Sequence, residues 1–211
     1  MVSKSNPIVV GLTGQFGAGC TTVVAEYLKE EGFHYYSLSD IVKDAAQKRL
    51  GPFEYQKLSK KELRRVLQNE GDRLREGDTR AIAKKLGEQI KATAYDEEDI
   101  VVDSIRNPAE VEYFNAVFTR RFFLLALDAS SEVRWLRKQS DYEGDDKKQF
   151  DQDDLRDKGD EEPPSGQHTE ACVYLSDVVI DNEKQIAYRT GLGLILPKDK
   201  AIYRPDEEPW I

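Results

Sequence analysis

A three-layer α/β/α sandwich around a mostly parallel five-stranded sheet is the fold class predicted by this chain. Three observations predict it. Short apolar runs alternate with helical stretches; several runs are apolar throughout, as strands covered on both faces must be; and the first run leads directly into a glycine loop and a helix start. Ile8 to Thr13, Phe33 to Leu38, Ile100 to Ser104, Phe122 to Asp128 and Val178 to Ile180 read as the strands. Val23 to Glu31 reads as a helix ended by Gly32, and Asp40 to Leu50 as one ended by Gly51-Pro52. Lys60 to Arg75, Arg80 to Ala94, Pro108 to Phe118, Ser131 to Lys138 and Thr169 to Leu175 complete the helices.

At 211 residues and 39% hydrophobic, the chain is long enough for one substantial core. Residues 1–188 are expected to form the domain and 189–211 a tail that packs on it or on a partner. A net charge of −9 argues against a nucleic-acid face, which needs clustered Lys and Arg, but leaves room for a small nucleotide. Cys20 and Cys172 stand far apart without a C-x-x-C, so two reduced thiols are expected rather than a disulfide or a zinc site. His168-x-Glu170 followed by Cys172 begins like a zinc deaminase signature, but no P-C-x-x-C follows it. The chain has no apolar run of membrane-span length and no signal-peptide core, so a cytoplasmic location is expected.

The stretch from about 140 to 165 departs from the alternation. It carries Asp141, Glu143, Asp145, Asp146, Asp151, Asp153, Asp154, Asp157, Asp160, Glu161 and Glu162 with almost no apolar residues, and reads as excluded from the core. It is either a solvated insertion or a lid, and as a lid it would use Arg134, Arg137 and Arg156.

Gly14-Gln15-Phe16-Gly17-Ala18-Gly19-Cys20-Thr21-Thr22 matches the G-x-x-x-x-G-K-[ST] phosphate loop, except that Cys20 stands where lysine belongs. Its glycines let backbone amides approach phosphate oxygens, and the following helix adds its positive end. Thr21 supplies a hydroxyl for Mg²⁺. Cys20, at a helix N-terminus, is either a reactive thiolate or an inert packed thiol.

Two further strings fall at strand ends. Asp103, closing an apolar strand in Val101-Val102-Asp103-Ser104-Ile105-Arg106, suits water-mediated Mg²⁺ binding or a turn cap. Arg106, three residues on, suits a phosphate fork or a surface ion pair. Ser39 and Asp40 follow the second strand; at least one is expected to cap the next helix, while Asp40 could also accept a proton from an acceptor or orient it.

Together these strings resemble the adenylate-kinase-like and dephospho-coenzyme-A-kinase-like P-loop nucleotide kinases. The glycine loop, Ser37-Leu38-Ser39-Asp40, Val101 to Pro108, Leu127-Asp128-Ala129-Ser130 and Leu175 to Asn182 carry the resemblance, which covers about residues 8 to 186. The chain is most similar to the kinase-like domain found upstream of some deoxycytidylate deaminase domains. The resemblance implies that Gly14, Gly17, Gly19, Thr21 and Thr22 hold the donor phosphates and Mg²⁺, that Asp40 and Arg106 face the acceptor, and that Arg134, Arg137 or Arg156 serve the lid. It implies a nucleoside or nucleotide monophosphate kinase-like phosphotransferase using Mg²⁺ and ATP or another NTP, attenuated by Cys20. The alternative is a non-catalytic (deoxy)nucleotide sensor acting through a partner, with a second copy or a deaminase-like protein as candidates.

Overall fold

The computed structural model describes residues 7–23, 28–93, 98–142 and 146–184, and the expected tail from 189 lies outside them. Strands β1 (Val9–Thr13), β2 (His34–Ser37), β3 (Ile100–Ile105), β4 (Phe122–Asp128) and β5 (Val178–Asp181) form one sheet in the order β2-β3-β1-β4-β5. The four pairings are all parallel. Central β1 is buried along its whole length, and β3 and β4 nearly so, which is why those segments read as continuous apolar runs.

The helices are α1 (Cys20–Val23), α2 (Leu38–Leu50), α3 (Pro52–Gln56), α4 (Lys60–Arg75), α5 (Ala81–Ala92), α6 (Pro108–Phe118), α7 (Ser131–Lys138), α8 (Lys147–Lys158) and α9 (Thr169–Tyr174). α2 starts at Leu38, two residues before the expected Asp40, because the Ser37 hydroxyl caps it by accepting the Ser39 N–H at 3.2 Å. α4 opens on a reciprocal Ser59/Glu62 capping box. Leu38, Ile82, Ile90 and Phe114 belong to one apolar cluster with β1 and β3, and Leu12, Leu28, Phe123 and Leu125 to a second.

The acidic stretch is a correction. Phe150 is fully buried with Trp135 and Tyr142, its ring 5.4 Å from that of Trp135, and Asp154 and Asp157 are buried as well. Residues 150, 154 and 157 lie on one face of α8, where two carboxylates can be core because each meets a guanidinium: Asp154 binds Arg134 and Asp157 binds Arg106.

The topology sets the site. The chain leaves β1 past β3 to reach β2, and leaves β3 past β1 to reach β4, so the loops after β1 and β3 part in opposite directions and open a crevice at the strands' C-terminal ends. There the β1/β3 register shifts between Gly11 and Thr13, and Ser104 sits at φ +67°. A non-glycine residue in that region costs about 1–3 kcal/mol, and such strain collects at functional sites. The bulge turns Asp103, Ser104 and Arg106 toward the crevice.

Candidate active site

The glycine loop is clamped from behind. The Phe16 N–H donates to Asp157 Oδ2 at 2.8 Å, and the Phe16 carbonyl accepts from Arg134 at 3.3 Å. Arg137 donates to the carbonyls of Gly17 and Ala18 at 3.3 Å each and to that of Asn182, whose own amide reaches the Ala18 carbonyl at 2.7 Å. Gly17 and Gly19, both at positive φ, carry no Cβ to meet Arg134 and Asn182, so α7 and Asn182 pack directly on the loop. Except for buried Ala18, every residue from Gly14 to Thr22 lines a cavity of about 500 Å³.

Cys20 belongs to this cavity wall, and its Sγ donates to the Thr13 carbonyl at 3.2 Å. Burial, and then the Asp103 carboxylate, push its thiol up to about 12.

Asp103 is also buried, and burial raises its carboxyl above the usual range, opposed by hydrogen bonds from Tyr35 Oη (3.0 Å), the Ser104 N–H (2.7 Å) and Thr21. The neighbouring Thr21 hydroxyl and Asp103 carboxylate are hard oxygen donors on the cavity wall, and they fit Mg²⁺. Among the described residues no group of three His, Cys, Asp or Glu could hold a metal, so phosphates and water would complete its shell.

A second cavity, of about 380 Å³, adjoins the first and shares Phe16, Ser39, Ser104 and Arg106 with it. α4 builds much of its wall with one face, on which Arg64, Gln68, Gly71 and Arg75 follow one another at helical spacing. The Arg64 guanidinium lies 3.3 Å from the Phe16 ring centroid. Among the described residues, three buried side-chain polar atoms of this wall have neither a hydrogen-bond nor an ion-pair partner: Gln68 Nε2, Arg75 Nη1 and Gln167 Oε1. An orphaned buried donor or acceptor costs about 1–3 kcal/mol, so their convergence on one cavity marks a place for a polar ligand. The carboxylates of the wall are engaged: Asp141 with Lys60, Asp153 with Tyr142, Gln149 and Arg64, and Asp157 with Arg106, Phe16 and Thr169.

The residues singled out by sequence fall into distinct places. Arg106 lies on the wall between the cavities, with its backbone N–H on Glu110 at 2.9 Å, and Glu110 also completes the Asn107 capping box of α6. Asp40 is a correction: it lines neither cavity and pairs with Lys43 at 2.9 Å in solvent, because the cap at Ser37 turns Ser39 inward instead. Arg134 is 1% exposed and closed off by Asp154, Phe16 and Ala129. Arg156 binds Asn69 at 2.8 Å and Asp72 at 2.6 Å on α4, away from both cavities. Sequence reasoning missed Arg64, Gln68, Arg75, Asp157 and Gln167; for the first three the periodicity of α4 was the available signal.

Parallel sheet, glycine loop and twin cavities define a P-loop kinase-like α/β protein. The sequence matches the AAA domain family (AAA_18) over residues 10–162, and the chain belongs to that family. It is similar to the UPF0200 protein of Pyrobaculum aerophilum, 31% identical over 157 residues that make up 71% of this chain and 75% of that protein. It is also similar to a UPF0200/UPF0201 protein of Archaeoglobus fulgidus, 31% identical over 137 residues, 63% of this chain; the match spans only 40% of that relative's length. Among solved structures, the fold is shared with TT1252 from Thermus thermophilus (TM-score 0.52, 20% identity, 90% of this chain and 99% of that one). It is shared too with a sugar kinase from Janibacter sp. (TM-score 0.51, 15% identity, 93% and 99%). No helix among the described residues is long and apolar enough to cross a membrane.

Proposed function

We propose that the chain is a phosphotransferase that moves the terminal phosphoryl group of Mg-ATP, or another NTP, to a nucleoside monophosphate. The observation that carries this reading is the pair of cavities meeting at Arg106: the glycine loop lines one, and unpartnered polar groups line the other. Mg²⁺, held through Thr21 and Asp103, would offset charge on the transferred phosphate. The acceptor's phosphate oxygen bonds to the terminal phosphorus as the bond to the β–γ bridging oxygen breaks, and the electron pair leaves on the nucleoside diphosphate. A monophosphate oxygen is already ionised, so no proton has to be removed. This favours a phosphate over a hydroxyl nucleophile, since the carboxylates of the second wall are all engaged.

In this reading Arg106 holds the acceptor phosphate, and Gln68 and Gln167 address the base. Residues 1–188 are the catalytic domain, 140–165 its lid-like part and 189–211 a tail. A deoxynucleotide acceptor, a deaminase-like or self-associated partner and a cytoplasmic location rest on the family resemblance alone.

The test is calorimetry with nucleoside mono- and triphosphates, followed by transfer assays on those that bind. Arg106→Ala weakens monophosphate binding by about 1.5–3 kcal/mol and leaves Mg-ATP binding within about twofold. Gln68→Leu alters the ranking of bases without changing the ranking of phosphates. Binding of both nucleotides with no transfer in any pairing would replace the enzyme by a sensor.

A further inference from the structure

The loop has no lysine at the position that normally reaches the β- and γ-phosphates, and Cys20, which can carry no positive charge, stands there. Three cations line the same cavity: Arg106, Arg137 and Lys138. Arg137 is committed to backbone carbonyls at Gly17, Ala18 and Asn182. Arg106 is committed to Asp157 on the side of the second cavity.

Lys138 differs from both. It is the last residue of α7, and its stem lies against the loop, with Cγ 3.2 Å from where a side chain on Gly17 would begin. Its Nζ stands 4.9 Å from the Phe16 ring centroid. The nearest carboxylate oxygen among the described residues is Asp141 Oδ2 at 3.8 Å, beyond hydrogen-bond reach, and Asp141 is already held by Lys60 at 2.6 Å. No hydrogen bond from Lys138 Nζ to the described residues competes for its charge, and a lysine stem is flexible enough to move that charge to a ligand.

We propose that Lys138 supplies, from the end of α7, the positive charge that the loop lacks, and that it contacts the terminal phosphates of a bound nucleoside triphosphate. The proposal rests on the P-loop cavity being the triphosphate site. The charge comes from a neighbouring element, α7, packed against the loop. Loss of one such electrostatic contact lowers transfer by on the order of 100-fold.

The experiment moves the charge. Lys138→Met in the full chain should lower transfer by on the order of 100-fold and reduce the preference for ATP over AMP in calorimetry by about tenfold. Lys138→Arg should retain most of both. Adding Cys20→Lys to Lys138→Met should restore transfer, because the charge returns to the usual position. Lys147→Met, which removes a lysine from the outer face of α8, should change nothing. Unchanged transfer and unchanged triphosphate preference in Lys138→Met would overturn the proposal while leaving the phosphotransferase reading intact. Should no variant or native chain transfer phosphate, that reading falls, and the triphosphate preference of Lys138→Met still decides the role of Lys138. If the double variant does not fold, the Met and Arg variants carry the same decision.

Discussion

Replacing Gly19 by valine is expected to lower Mg-ATP affinity by at least about 100-fold in calorimetry, roughly 2.7 kcal/mol. Gly19 holds φ +111°, a region that side-chain-bearing residues rarely adopt, and a Cβ there would lie 2.5 Å from Asn182 Nδ2. That amide donates to the Ala18 carbonyl at 2.7 Å, so the new side chain strains the loop and pushes away one of the groups that shape it. The defect is local: the loop end of the sheet deforms while both apolar clusters stay packed, and thermal unfolding should remain cooperative. Unchanged affinity would place the nucleotide elsewhere in the molecule.

Arg134→Met is expected to be the most destabilising single change in the site region, by about 3–5 kcal/mol in urea denaturation. Arg134 is buried, makes a forked contact with Asp154, and holds the carbonyls of Ala129 and Phe16 at 3.0 and 3.3 Å. Removing it leaves the Asp154 carboxylate, 4% exposed, with Lys158 at 3.6 Å as its remaining cation among the described residues. The double change Arg134→Met/Asp154→Leu should therefore recover much of the loss, since the uncompensated charge disappears with its partner. The same measurement separates two roles for this arginine. A lid arginine that meets phosphate would lose turnover and keep stability; an arginine that ties α8 to the loop loses stability first.

How much was legible in the chain depended on how local the signal was. β1, β3 and β4 are buried on both faces, so each announces itself as a continuous apolar run, and the expected Phe122 to Asp128 strand has the observed bounds. α4, α6 and α7 likewise match their expected spans, helped by caps at Ser59, Asn107 and Ser130 that act within three residues. The glycine loop was legible for the same reason, since its shape follows from backbone freedom at fixed spacing. The acidic stretch misled because composition ignores partners. A run of carboxylates reads as solvated until it is known that Arg134 and Arg106, 20 and 51 residues away from Asp154 and Asp157, neutralise its inner face. Asp40 misled through a smaller displacement: with Ser37 as the cap, the helix begins early, and Ser39 rather than Asp40 turns inward.

The sequence by itself determined the layered α/β architecture, the glycine loop at the end of the first strand, and the cysteine rather than lysine at position 20, because these depend on residues adjacent in the chain. Only the tertiary structure decided which cations meet the cavities, that the second cavity is walled by α4, and that Cys20 faces the Asp103 carboxylate. Those outcomes depend on burial and on distances between elements far apart in sequence, where the energy of a charge is set by what surrounds it rather than by its neighbours along the chain.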